Sequence, residues 1–262
     1  MKNLKFDDSL CKGKSAFNRM AKLQNDIIDS DSADDAVTLL INLEGRTGLT
    51  FVFLLSCLPI LAKSKNKTVF VRANEPLFKL MKKINAVDYY SCAKDKDKIF
   101  KIIEKPCFRP IECPEDIFKL VNDIGGEAPI KMSEELTDIM VSKMGEMYIN
   151  ALGHSKATYI IGGKYFKQQN RKYCFSCYDT GMGIPKCVNE HFGKIGHSLV
   201  TDEVALKWAM VMGNTTNPQK GVSNGVGLYT LKSFAKANDG VIRICSGHSL
   251  YIYSKGTEKY YV

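Results

Sequence analysis

Between Lys105 and Pro129 the chain carries four prolines and the pair Gly125-Gly126, and this run of breakers constrains its organisation most. Proline removes a backbone donor and glycine adds conformational freedom, so a stretch rich in both interrupts regular elements. A domain boundary is expected there. The expected organisation is one domain over 1–104, a linker over 105–130 and a second domain over 131–262. At 262 residues the chain is long enough for two modest domains, each with its own core.

Composition narrows the class. Hydrophobic residues at 45% and charged residues at 25% describe a globular protein, not a disordered one. The formal charge of +9 divides into about +3 before residue 131 and +6 after it, and dispersed lysines such as Lys63, Lys65 and Lys67 carry much of it. Nucleic-acid interfaces cluster arginine with aromatics, so this spread of lysines does not point to nucleic acid. The N-terminus MKNLKFDDSL has neither the apolar core nor the cleavage pattern of a secretory signal. The strongest apolar run, Leu49 to Ala62, is shorter than the roughly 20 residues a spanning helix needs. A cytoplasmic location without membrane contact is expected. The nine cysteines then read as reduced, mostly buried thiols. Cys174 and Cys177 have metal-like spacing, but in a strand residues three apart point to opposite faces, which argues against a zinc site with Cys107 and Cys113.

The first half alternates strand and helix. Val37 to Leu43 and Thr68 to Val71 are short β-branched-rich runs, and Leu49 to Lys63 is apolar nearly all round, as in a helix packed on a sheet. Asn74 and Pro76 open a further helix to about Lys83. The order predicts an α/β layer with at least one parallel strand pair. In pattern, residues 35–104 resemble a STAS domain, the small α/β module of anti-sigma factor antagonists. That resemblance implies a protein-contact scaffold with a regulatory hydroxyl near the start of its central helix. Thr47 and Thr50 lie there, and each also reads as a helix cap. Gly13-Lys14-Ser15 echoes the end of a phosphate-binding loop but lacks its upstream glycine and its strand, and is set aside.

The second half carries the chemistry. Ser133 opens a helix on which Glu146 and Asn150, four apart, share a face about one turn from each other. Asn150 offers a neutral carbonyl oxygen to Mg²⁺, a hard cation that prefers oxygen. Glu146 could deprotonate an attacking water or hydroxyl. Asp179 follows the strand-like run Tyr173 to Tyr178 and can accept a hydrogen bond from the amino group of adenine. In the segment Asp179-Thr180-Gly181-Met182-Gly183-Ile184-Pro185, Gly181 and Gly183 let backbone approach a flat base, while Met182 and Ile184 supply apolar walls. Gly225-Val226-Gly227-Leu228 opens a helix whose free N–H groups and positive dipole end suit phosphates. Before it, the polar segment Gly213 to Gly221 reads as a lid, with Lys220 able to reach the outer phosphate.

These segments, in this order, resemble the N, G1 and G2 boxes of the GHKL superfamily: gyrase-type topoisomerases, ninety-kilodalton heat-shock chaperones, sensor histidine kinases and mismatch-repair ATPases. The resemblance covers roughly Lys131 to the C-terminus. It implies the Bergerat α/β sandwich with helices on one face of a mixed sheet. It also implies ATP bound through Mg²⁺ at Asn150, adenine at Asp179 and phosphates at Gly225 to Leu228. The run Glu146-x-x-x-Asn150-Ala151-x-x-His154-Ser155 most resembles the anti-sigma factor serine kinases. The chain departs from the topoisomerase-like members in lacking the Gln-Thr-Lys of their lid. Gly256-Thr257 matches the family's closing Gly-Thr, which would set Thr257 beside Asp179 under the adenine.

The expectation is therefore a regulatory Mg-ATP-binding protein in which Glu146 promotes γ-phosphoryl transfer to water. The alternatives are a serine/threonine kinase of the anti-sigma factor type and an ATP-gated interaction module without useful turnover. A protein partner is expected at the STAS-like domain or the lid, with a homodimer as one form of assembly.

Overall fold

The computed structural model describes residues 2–7, 38–44, 68–73, 87–92, 98–102, 108–122, 133–167, 172–217 and 225–262, with single positions 18, 22, 75 and 79. The expected helix over 49–63, Thr47, Thr50, Gly13 to Ser15 and Lys220 lie outside the described residues. The chain is mixed α/β and divides into two compact units, 1–110 with 161–167 and 111–160 with 168–262.

The first unit is built on a five-stranded sheet of β1 (Lys2–Asp7), β2 (Thr38–Glu44), β3 (Thr68–Ala73), β4 (Val87–Cys92) and β5 (Lys98–Ile102), ordered β1-β2-β3-β5-β4. β2 lies parallel to both β1 and β3, with Thr38 opposite Thr68 and Leu43 opposite Ala73. The predicted parallel pair is thus present. β5 pairs antiparallel with β3 and with β4. β6 (Phe108–Pro110) pairs antiparallel with β7 (Ile160–Lys167), and Pro110 falls at its last position, where a missing donor costs least.

The second unit begins at Ile111, inside the stretch 105–130. Helix α1 (Pro114–Asn122) occupies it and buries Ile117 and Leu120. Pro114 stands at the first helical position, where its missing N–H is no loss. Asp116 reaches back to accept the backbone N–H groups of Glu112 (3.1 Å) and Cys113 (3.3 Å), half of a capping box.

Helix α2 (Glu134–His154) follows, and its core stripe of Met140, Met144, Met147, Tyr148 and Ala151 packs with Ile111, Ile117, Leu120 and Ile160. Tyr148 is fully buried, and its hydroxyl donates to the Ser176 carbonyl of β8 (Lys172–Asp179), fixing α2 against that strand. Helices α3 (Gly183–Lys194), α4 (Asp202–Ala209) and α5 (Gly227–Ala237) precede the antiparallel sheet β9 (Val241–Ser246), β10 (Ser249–Ser254) and β11 (Thr257–Tyr261), ordered β11-β10-β9.

Tyr251 and Tyr253 alternate onto one face of β10 and meet Leu206 and Met210, at and just beyond α4, and Ala235 of α5. Val188 and Phe192 of α3 close on Ala205, with the Phe192 ring edge-on to Trp208 at 5.3 Å. Among the described residues, no helix is long and apolar enough to cross a membrane.

Candidate functional site

The three motifs lie in the second unit, and α2 is the element that joins them. Its core stripe faces inward, and Glu146 and Asn150 lie half-buried on its flank, where the start of α5 meets it. A Cβ at Gly227 would stand 2.6 Å from Asn150 Nδ2, 2.9 Å from Glu146 Oε2 and 3.2 Å from Asn150 Oδ1. Only glycine leaves both side chains in place there. Asn150 Nδ2 is buried with no hydrogen-bond partner among the described residues. A buried amide without a partner is costly, so a polar ligand at this point would satisfy it.

α5 begins without a side-chain cap: Val226 occupies the cap position with its backbone in the helical region. The first-turn N–H groups of an uncapped helix suit an anion. Leu228 packs into the core beneath β10, so its contribution at the helix start is its backbone N–H. Gly225 has φ +74°, and a Cβ on it would stand 2.5 Å from the Gly213 carbonyl carbon. The Gly213 N–H donates to the Gly225 carbonyl at 2.8 Å, which ties the start of the expected lid to the residue two before α5. Asn214 donates to the Trp208 carbonyl (2.8 Å), and Thr216 Oγ1 lies 3.0 Å from His154 Nδ1. Burial pulls the His154 pKa below its ordinary 6.5, which favours the neutral ring in that contact.

Just past the C-terminal end of α2, next to His154, stands Ser155. Its carbonyl accepts the Met182 N–H at 2.9 Å, and a Cβ on Gly181 would overlap that same oxygen. Gly181 is thus required by the close approach of backbone to backbone. Asp179 ends β8, and its Oδ1 accepts the Gly181 N–H at 2.8 Å. Burial pushes the Asp179 carboxyl pKa up, and the hydrogen bonds from Gly181 and Ser155 partly offset this. Thr180 pins the turn by exchanging hydrogen bonds with Tyr159: its N–H donates to the Tyr159 carbonyl (3.0 Å) and its Oγ1 accepts the Tyr159 N–H (3.1 Å). Ile184 packs against two core clusters, so it shapes the floor of the turn from inside.

The structure thus brings Glu146, Asn150 and Gly227 together, and ties Asp179, Gly181 and Met182 to Ser155 at the end of the same helix, whereas Gly183 faces Ser246. Thr257, expected beside Asp179, instead opens the edge strand β11, exposed and opposite Ser254. The hydroxyl that reaches the Asp179 segment from the C-terminal sheet is that of Ser246, which accepts the Ile184 N–H at 2.8 Å. Sequence reasoning missed it because Ser246 ends a strand and no local pattern shows what a strand end faces. The signal was the Gly247-His248 pair after it, whose two-residue hairpin turns Ser246 towards α3.

Among the described residues no cluster of three or more His, Cys, Asp and Glu could hold a metal ion by itself. Mg²⁺ seldom needs one, since it is commonly held by one or two protein oxygens together with phosphates and water. No protein-family model, curated protein or solved structure matches the chain.

Proposed function

We propose that the chain is a cytoplasmic regulatory ATPase of GHKL type, with a STAS-like domain over 1–104 and a Bergerat-type ATP-binding domain over 131–262. The observation that carries this reading is the meeting of Gly227 with Glu146 and Asn150, beside a buried amide nitrogen that has no partner among the described residues. In the proposal, Asp179 accepts the adenine amino group, and the start of α5 takes the phosphates on its uncapped N–H groups. Asn150, through its amide oxygen, would hold Mg²⁺, which supplies charge neutralisation at the phosphates. Glu146, one turn earlier on α2, accepts the proton of the attacking water. Its carboxylate has little covalent work to do, because phosphoryl transfer is catalysed mainly by positioning and charge.

The test is phosphate release and ATP binding measured on the same variants. Glu146→Gln should bind Mg-ATP nearly as well as wild type while turnover falls on the order of 10²-fold or more, the usual reach of a general base. Asn150→Ala should lose binding itself. If Glu146→Gln hydrolyses ATP at the wild-type rate, the base role is wrong. If labelled γ-phosphate accumulates on protein and not as free phosphate, the reaction is that of a kinase.

A further inference from the structure

We infer that Ser246 is a positioning residue for base recognition, held in place by Asp202, and that it sets the Gly181–Gly183 backbone against which a purine would lie. The inference rests on the nucleotide-site reading above and adds residues that none of the three motifs contains.

Four contacts carry it. The first turn of α3 has no side-chain cap of its own, since Met182 holds the cap position. Pro185, two residues beyond Gly183, has no N–H to satisfy. Of the remaining first-turn donors, the Ile184 N–H is given a side-chain acceptor by Ser246 Oγ, at 2.8 Å and from 62 residues away. Gly183 has φ +76°, and a Cβ on it would stand 2.9 Å from the same hydroxyl oxygen. The bare face of Gly183 and the hydroxyl of Ser246 thus fit each other.

The hairpin that presents Ser246 is itself clamped. Gly247 has φ +57°, and a Cβ there would stand 2.5 Å from Asp202 Oδ2 and 3.1 Å from Pro185 Cγ. Asp202 Oδ2 accepts the backbone N–H of His248 at 2.7 Å and lies 3.1 Å from His248 Nδ1. The His248 side chain is 93% exposed, so the bond to its backbone is the one that holds the turn. Thr201 caps α4 through the Val204 N–H and so fixes the helix end from which Asp202 projects. The chain of contacts runs from α4, through the Gly247-His248 turn, to Ser246 and then to Gly183 and Ile184 in the first turn of α3, which begins four residues past Asp179.

A residue acting on the base through this segment should change affinity for the base and leave affinity for the phosphates alone. The experiment measures equilibrium binding of Mg-ATP, Mg-GTP and Mg-tripolyphosphate to the full chain. Wild type, Ser246→Ala, Ser246→Thr and Asp202→Asn are compared. Ser246→Ala should weaken ATP up to roughly tenfold, the size of one lost hydrogen bond, and should lower the ATP-to-GTP preference. Tripolyphosphate affinity should stay at the wild-type value. Ser246→Thr, which keeps the hydroxyl, should restore ATP binding.

Equal loss of ATP and tripolyphosphate, or no loss of ATP, overturns the inference. Should Ser246→Ala fail to fold, Asp202→Asn decides by the same criteria, because it leaves Ser246 intact and weakens its clamp. A wild-type protein that binds no ATP would remove the nucleotide reading itself. Wild-type ATP binding with an indifferent Ser246→Ala would remove only this inference.

Discussion

In the proposed site, Asp179 would serve binding at a cost to stability, because burial disfavours its ionised carboxylate. Its carboxyl pKa is raised, chiefly by burial, so the folded state holds the proton more tightly than the unfolded chain does. Stability from this group is therefore greatest below its unfolded value near 3.8 and declines as pH rises through the folded value. Above that the deficit is constant. Asp179→Asn should accordingly raise the thermal midpoint of the nucleotide-free protein at neutral pH and flatten its decline from acid to neutral. The same change should weaken ATP roughly 10- to 100-fold, the scale of a lost charge-assisted hydrogen bond. A melting series across pH and an ATP titration check both halves, and a fall in both stability and affinity would assign Asp179 a structural role. What the sequence made legible is that Glu146 and Asn150 share one face of a helix, because residues four apart lie one turn from each other. Thr257 could not be placed, since its match rested on order along the chain and strand pairing decides where a strand begins.

At the level of elements, glycines separate two kinds of constraint. A side chain on Gly227 would meet only the movable ends of Asn150 and Glu146, whereas one on Gly181 would meet the Ser155 backbone. Gly227 opens α5, so alanine there gains less helix propensity than the about 1 kcal/mol of a helix interior, and the crowding is relieved chiefly by movement of the two side-chain ends. Gly227→Ala should fold with a midpoint close to wild type and still lose ATP affinity, by about tenfold or more, because both site side chains are displaced. Gly181→Ala should instead destabilise the fold, which circular dichroism melts would separate from the first case. Helix α2, strand β8 and helix α5 were legible because their periodicity and their motifs agree. Helix α1 was not, because a proline at a first helical turn looks in sequence like a proline that ends one. Its cap comes from Asp116 inside the helix, where a search for a preceding Ser, Thr or Asn finds nothing.

At the level of the molecule, the sequence anticipated a mixed α/β chain, and β2 and β3 pair in parallel, as expected from the sequence pattern of the first half. The division falls at Pro110, within the breaker-rich stretch, yet that stretch supplies core residues to the second unit instead of merely joining two domains. Breakers mark where an element can end but carry no information about what packs between them. The motifs from Glu146 to Leu228 all fall in the second unit, so its chemistry can be tested on the full chain by a single property. That property is Mg-ATP binding, followed by titration calorimetry for wild type and Asn150→Ala. Saturable one-site binding that needs Mg²⁺ and disappears in the variant is expected. Absence of binding by the folded wild-type protein, or binding indifferent to Asn150→Ala, would contradict the proposed function.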